Sequence, residues 1–427
     1  MEKKYDVIIV GTGVAGLYCA LNLEERYNIC IISKASVEES DSYLAQGGIC
    51  TMRGEDDFEP YFNDTMRAGH YENNKKTVEL MIRSSDNIIK DLIACGVRFE
   101  RDGGGELMYT REAAHSKARI LFHKDITGKE ITSRLMEEVR RRKNISVFDN
   151  TMMTDIIANK NICGGVVLKM PDGEIKRIYA DYVVLASGGI GGMYKNSTNY
   201  RNLTGDALAA AIKHNIVTEN LNYVQIHPTT LFSKNRGRRF LISESVRGEG
   251  ALLYNAAGNR FTDELQPRDV VTNEIRRQMK LDNSEYVLED LRPVGEETIR
   301  RHFPNILQRC MEEGYDVLKE PIPVVPAQHY FMGGIKVDLS SRTSMQRLYA
   351  CGETSCNGVH GKNRLASNSL LESMVFAKRA AYDIEFAPKP PVYEDGEEYY
   401  TSEAELDKYR GIVYEMITGE KYKGENE

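Results

Sequence analysis

Apolar residues follow two rhythms along this chain. The first is continuous: Tyr5-Asp6-Val7-Ile8-Ile9-Val10 and Ile29-Cys30-Ile31-Ile32 are short, nearly unbroken runs rich in β-branched residues, the pattern of strands buried on both faces of a parallel sheet. The second has apolar residues three and four apart and predicts helices over residues 77–95 and 128–143. Between the two strands, Gly11-Thr12-Gly13-Val14-Ala15-Gly16 follows the first run directly and passes into Leu17-Tyr18-Cys19-Ala20-Leu21. A strand thus ends in a three-glycine turn that opens a helix. In that position the first glycine permits the tight turn, the second lets the backbone approach a pyrophosphate, and the third lets helix and strand pack closely. The helix amides then face an anion. A dinucleotide phosphate site is expected around Gly11, Gly13, Val14, Ala15 and Gly16.

Further along, the pattern predicts strands over Ile145–Phe148, 162–168 and 175–179, the last two joined by a Pro171-Asp172-Gly173 turn. Another, Tyr182-Val183-Val184-Leu185-Ala186, runs into Ser187-Gly188-Gly189-Ile190-Gly191-Gly192, backbone able to come close to a cofactor. Asp206 opens an alanine-rich helix over 207–213, where helix capping and a cofactor contact explain it equally well. The second strand ends at Ser33-Lys34, where a nucleotide fold usually places an acid for the ribose hydroxyl. That acid is missing, which leaves Ser33 and Lys34 for this end of the ligand. Ser42-Tyr43-Leu44-Ala45-Gln46-Gly47-Gly48 reads either as a loop lying against a flat ring or as a plain connection.

From about residue 221 to 331 the pattern turns irregular and polar, and a last strand over 347–350 leads into Cys351-Gly352-Glu353. The expected organisation is an α/β nucleotide domain in two parts, 1–220 and 332–387, split by an insertion over 221–331 that folds over the cofactor as a lid. A short acidic tail, 388–427, is too small for a domain of its own.

With 427 residues the chain exceeds what one core usually serves, in keeping with that division. A net charge of −7 gives no polybasic face, and Arg140-Arg141-Arg142-Lys143 complements the end of a helix dipole, so nucleic acid is not an expected partner. No apolar run approaches the ~20 residues that span a bilayer, and no apolar signal segment follows the first lysines. The expectation is a cytoplasmic protein without a membrane partner. The eight cysteines lack C-x-x-C spacing and read as reduced thiols; Cys351 and Cys356, the one close pair, suit packing better than redox or metal chemistry, and no metal is expected.

Histidines and arginines recur beside glycines in five segments: His227-Pro228-Thr229, Ser243 to Gly250, Pro267-Arg268-Asp269, Gln328 to Gly334, and Gly358 to Glu372. Each residue alone is more often structural. Together they suit a dicarboxylate, because a guanidinium binds carboxylate through two parallel hydrogen bonds and keeps its charge.

The ordered set resembles the flavoprotein family of succinate dehydrogenase, fumarate reductase and L-aspartate oxidase over residues 4–385, and the runs 42–48, 110–116 and 358–372 are most similar to its oxidase branch. The resemblance implies a Rossmann-like FAD-binding domain of the glutathione-reductase type, interrupted by an α+β capping domain. It implies FAD contacts at Ser33, Lys34, Ser42, Ala45, Gln46, Gly47 and Gly48, and at Asp206, Glu353, Ser369 and Leu370, besides the first glycine turn. It also implies that His227, His329 and Arg364 bind two carboxylates, that Ser243 adds a hydroxyl, and that Arg268 transfers a proton with Glu244 and Arg247 as relay. An Arg247–Glu249 ion pair that merely holds the lid is the alternative for Arg247.

Members that attach FAD covalently use a histidine six positions before Gly47, and here Asp41 stands there, so noncovalent FAD is expected. In the oxidase branch the counterpart of Glu112 pairs with a substrate ammonium, which succinate and fumarate lack. The implied activity is oxidation of L-aspartate to 2-iminosuccinate with O2 or fumarate as acceptor, the first step toward NAD through quinolinate, with quinolinate synthase as a candidate partner. A succinate or fumarate flavoprotein subunit is the alternative, and a flavin scaffold without turnover is a third reading that the retained charged residues oppose. The oxidase branch usually carries a further C-terminal helical domain; with some forty residues after Pro388, a short form is expected.

Overall fold

Val7, Ile8 and Ile9 are fully buried, and the sheet grows outward from them. The computed structural model describes residues 4–234, 237–386, 388, 391–394 and 403–421. The chain passes through β1 (Lys4–Val10), α1 (Val14–Asn22), β2 (Ile29–Ile32), α2 (Lys75–Ala94), α3 (Thr127–Arg141), β3 (Ile145–Phe148), β4 (Met152–Asn159), β5 (Ile162–Lys169), β6 (Ile175–Leu185) and α4 (Asp206–Lys213). Then come β7 (Val224–Leu231), β8 (Leu252–Tyr254), α5 (Arg268–Leu281), β9 (Val287–Asp290), β10 (Ile322–Phe331), β11 (Leu348–Ala350), α6 (Asn368–Phe386) and α7 (Glu403–Thr418), with further helices and strands between them.

Seven strands form the main sheet in the order β3-β2-β1-β6-β5-β4, with β11 pairing β6. β1 runs parallel to β2 and to β6, with Val7 opposite Ile29 on one side and Tyr182 on the other. Successive side chains leave on opposite faces. Val7, Ile9, Ile29 and Ile31 join a core with α1, α3 and α6, while Ile8, Val10, Cys30 and Ile32 join a second core with β4 to β6 and α4. The continuous apolar runs are explained by this double burial. The architecture is the expected α/β FAD-binding fold with a capping region.

Three sequence expectations need correction. Residues 175–179 and 182–186 belong to one strand, because Tyr179 is where β6 exchanges partners: it faces Gly165 of β5 in antiparallel register and Lys4 of β1 in parallel register. β4 was not anticipated. The stretch from 221 to 331 is also far from irregular: β7, β10, β9 and β8 form an antiparallel sheet in that order. Its strands escape the apolar pattern because they bury polar residues, among them Gln225, His227, Thr229 and Glu289. Leu253, Val271, Ile275 and Val324 give this unit a core of its own.

The tail contains more than sequence suggested. α7 buries Leu406 and Val413 in the same core as Ala207 and Ala211 of α4. The tail residues 389–390, 395–402 and 422–427 lie outside the described residues, as do residues 1–3. Among the described residues no helix is long and apolar enough to cross a membrane, and no group of three or more His, Cys, Asp or Glu is placed to hold a metal ion. All eight cysteines are free, Cys351 and Cys356 both buried.

Candidate active site

The first glycine turn is glycine by necessity. Gly11 has φ +121°, and a Cβ there would lie 2.1 Å from the Ala186 carbonyl oxygen. A Cβ on Gly16 would meet the Gly11 carbonyl oxygen at 2.1 Å, so this residue serves helix–strand packing. Gly13 caps α1 without any side-chain cap, which leaves amides of the helix N-terminus available to an anion. Val14 is buried, and its N–H donates to Ser42 Oγ at 3.2 Å.

From this turn opens a cleft enclosing about 1640 Å³ of atom-free space, its mouth included. Gly11, Gly13, Ala15, Ser33 and Lys34 line one end, joined by Asp206. Ser42, Ala45, Gln46, Gly47 and Gly48 line it too, with Glu353, Ser369 and Leu370, remote from that loop in sequence, in the same cleft. Glu112, His227, Ser243, Glu244, Arg268, His329 and Arg364 line it as well. Of the residues expected in the site, Val14, Gly16 and Arg247 lie behind the lining.

At the nucleotide end Lys34 answers for the missing acid. Its Nζ stands 2.9 Å from Asp206 Oδ2 and 2.6 Å from Thr204 Oγ1. Burial pushes the Asp206 carboxyl up, but Lys34 and Arg410 outweigh burial and hold it below its ordinary value. The cap of α4 is Gly205, and Asp206, the first residue of the helix, serves as counter-charge to Lys34.

At the other end the histidines and arginines converge from separate elements. Arg364 donates to Ser369 Oγ at 2.9 Å, lies 3.1 Å from His329 Nε2, and stacks over the Tyr330 ring at 4.6 Å. Thr198 Oγ1 meets His329 Nδ1 at 2.8 Å, and the His227 and His329 rings stand 5.1 Å apart at 71°. Burial and the nearby Arg268 push both imidazoles well below the usual histidine range, so both are neutral at physiological pH. Burial beside Arg268 lowers the Arg364 guanidinium to about 10. His227 Nε2 and Arg364 Nε are buried without a partner, and a ligand oxygen would satisfy them.

Arg268, first residue of α5, donates through Nε to Glu244 and through Nη1 to Gln225 Oε1 at 2.8 Å. Ser243 accepts from the Ser245 N–H as cap of the short helix Glu244–Gly248. That helix carries Arg247, whose Nη2 lies 4.0 Å from Glu244. Burial favours a neutral Glu244, yet Arg268 and Arg247 prevail and keep it ionised. Glu249 pairs with His302 at 2.9 Å while Arg247 Nη1 donates to the Glu264 carbonyl, so the geometry favours the Glu244 side for Arg247 over a lid pair with Glu249.

Glu112 accepts from Ser367 Oγ at 2.5 Å and from Ser245 Oγ at 2.8 Å, and a Cβ on Gly47 would lie 2.2 Å from its Oε1. Burial, then repulsion from Glu244, raises its carboxyl above the usual range.

Several lining residues were not singled out in the sequence. Thr198, Asn199, Asn202 and Arg238 line the cleft with no motif around them. Ser367 had a signal: it lies in the 358–372 run and takes a left-handed φ of 60°. Asp41, singled out as the residue that replaces a histidine, also lines the cleft; burial raises its carboxyl. Asp41 Oδ2, Gln46 Oε1, Asn199 Oδ1 and Asn202 Oδ1 are buried without partners. A long polar ligand fits this set: helix amides for phosphates, small residues beneath a flat ring, and orphaned acceptors and amides along its length.

The FAD binding domain family matches residues 6–370. The chain is 51% identical over 424 residues to an L-aspartate oxidase of Clostridium perfringens, covering 98% of this chain and 95% of that protein. It belongs to the L-aspartate oxidase family. A chloroplastic family member from Arabidopsis thaliana is 40% identical, covering 88% of this chain and 61% of that longer protein. Among solved structures, an E. coli quinol fumarate reductase chain superposes with a TM-score of 0.84 at 29% identity, covering 97% of this chain and 74% of that one. The cofactor of this oxidase family member is FAD, in keeping with the cleft.

Proposed function

We propose that this protein oxidises L-aspartate to 2-iminosuccinate with noncovalently held FAD, that O2 or fumarate serves as final acceptor, and that it opens the quinolinate route to NAD. The observation that carries the reading is Glu112. It is a buried carboxyl in a cleft that also contains Arg268 and Arg364. Two guanidinium groups suit two carboxylates, and Glu112, whose carboxyl is hydrogen-bonded only to serine hydroxyls among the described residues, suits an ammonium. Succinate and fumarate carry no ammonium, so Glu112 gives them no such contact.

When bound, FAD would supply the acceptor for the two electrons that leave the substrate Cα as hydride. The chain supplies position and charge. Arg364, His329 and His227 hold the two carboxylates and Ser243 adds a hydroxyl, so a single Cα–H bond is presented to the ring face. A neutral His227, whose Nδ1 accepts from the Thr229 N–H, donates through Nε2 there without adding charge, while His329 Nε2 accepts from Arg364 and orients it. A guanidinium keeps its proton in ordinary surroundings. Transfer through Arg268 therefore needs Glu244, held ionised between Arg268 and Arg247, as the group through which the proton leaves. The insertion over 221–331 acts as a cap that closes over the ring and excludes water. Cytoplasmic location and hand-over of the product to quinolinate synthase belong to the same proposal, supported by the reactivity of an imine toward water.

The test is anaerobic addition of L-aspartate to the purified yellow protein. Bleaching of the flavin absorbance is expected, and acid precipitation releases all the FAD. Bleaching by succinate with none by aspartate would overturn the reading in favour of a succinate-type flavoprotein.

A further inference from the structure

We propose that Arg410, on α7, is a positioning residue for the nucleotide end of the FAD cleft, and that α7 thereby sets how tightly FAD is held. Asp206 is the link. Its Oδ2 faces Lys34 at 2.9 Å, and both residues line the cleft. Its Oδ1 accepts from Thr204 Oγ1 and from Arg410 Nε, each at 2.7 Å. Arg410 is 4% exposed although it comes from the far end of the chain, 204 residues from Asp206.

The helix that delivers Arg410 is itself anchored. Leu406 and Val413 are buried in one core with α4, which begins at Asp206. Val413 packs 3.9 Å from where a Cβ on Gly205 would stand, and the Tyr414 ring lies 6.3 Å from that of Tyr194. Arg410 Nη2 also reaches Met152 Sδ at 3.9 Å. Asp407 on the same helix stands 3.8 Å from Arg410 Nη1, but it is half exposed and screened by water.

Charge makes the arrangement directional. A buried carboxylate needs compensation from every side. With Arg410 in place, Asp206 is held from behind and Lys34 is not its sole counter-ion, so the ammonium remains able to attract an anionic dinucleotide. Without Arg410, Asp206 draws fully on Lys34, and the positive end facing the ligand is neutralised. This inference rests on the reading that Asp206 and Lys34 face FAD.

The experiment titrates FAD into full-length apoprotein, with flavin fluorescence as readout and the melting temperature of each apoprotein recorded beside it. Arg410→Met is expected to raise the FAD dissociation constant about tenfold, the scale of a hydrogen bond to a charged group, and to weaken its salt dependence. Arg410→Lys should restore most of the affinity. Leu406→Ala should lower the melting temperature and leave FAD affinity within about twofold. Equal weakening by Leu406→Ala and Arg410→Met would overturn the positioning role, because α7 would then act through stability alone. Wild-type affinity in Arg410→Met, with weakened binding in Asp206→Asn, would overturn it while sparing the reading of the FAD site. Wild-type affinity in Asp206→Asn would overturn that underlying reading instead. If Arg410→Met yields no folded apoprotein, Arg410→Gln decides: weaker FAD binding supports the role, and wild-type binding overturns it.

Discussion

The two ends of the cleft are built from different material. At the nucleotide end the contacts come from backbone and small residues together with the Lys34–Asp206 pair, and Gly11 and Gly16 are fixed because a Cβ on either would lie 2.1 Å from a carbonyl oxygen. At the acid end they come from long charged side chains of separate elements: Arg268 from α5, His329 from β10, and Arg364 and Glu112 from loops. A backbone site is rigid and tolerates few substitutions in shape, whereas a side-chain site divides its work among groups that can be removed singly. The first end binds through backbone shape backed by one buried charge chain, Lys34–Asp206–Arg410, and the second discriminates by charge.

The comparison breaks most sharply at Arg268. Arg268→Lys keeps a cation beside Glu244 but loses the planar fork, so turnover with aspartate should fall about 10³-fold. FAD affinity of the apoprotein should stay within about twofold, since the nucleotide end is untouched. Steady-state kinetics and flavin titration check both halves, and a loss of FAD as large as the loss of rate would erase the division between the ends. The converse is Gly11→Ala. The Cβ meets Ala186 at a left-handed φ, and a destabilisation of about 3 kcal/mol with loss of bound flavin is expected. Chemical denaturation and the flavin content of the purified variant measure it; unchanged values would show that the turn has room to move.

How much of this was legible in sequence follows the same division. The glycine turn, β1, β2 and the two-faced sheet were readable because contiguous residues carry the signal: six residues of apolar run and a fixed glycine spacing. At the acid end the residue types pointed to a dicarboxylate, but individual roles came only through resemblance, since His227, Arg268, His329 and Arg364 are far apart and no local pattern joins them. The cap sheet was hidden for a related reason. Its strands bury Gln225, His227, Thr229 and Glu289, and buried polar residues erase the alternation that marks a strand. α7 and its Arg410–Asp206 pair had no signal, because an ion pair between residues 204 positions apart leaves no trace in either neighbourhood.

Glu112 sharpens the comparison within the acid end itself. Glu112→Gln retains the hydrogen bonding capacity toward Ser367 and Ser245 and removes the charge. kcat/KM for aspartate should fall about 10²-fold, the scale of one charged contact in a dry site, while fumarate reduction should fall by less than about tenfold. Parallel assays with the two substrates decide the matter. Equal losses would mean that the carboxyl does not read the amine.

The smallest effect is expected where the cap stores a charge problem outside the cleft. Glu289 on β9 is fully buried, and neither carboxylate oxygen has a partner. Burial raises its carboxyl from 4.5 to about 8, with Arg247 opposing and Glu264 adding to the rise. Unfolded chains release this proton near pH 4.5, while the folded protein retains it until about 8. The folded state therefore binds the extra proton in that window, and its stability declines as pH rises through it, then levels off. Glu289→Gln removes the titration and keeps the shape. Its melting temperature should match the wild type near pH 5 and exceed it by roughly 2–4 °C near pH 8. Calorimetric scans of both proteins across this range give the answer, and parallel curves would mean that Glu289 titrates alike in both states.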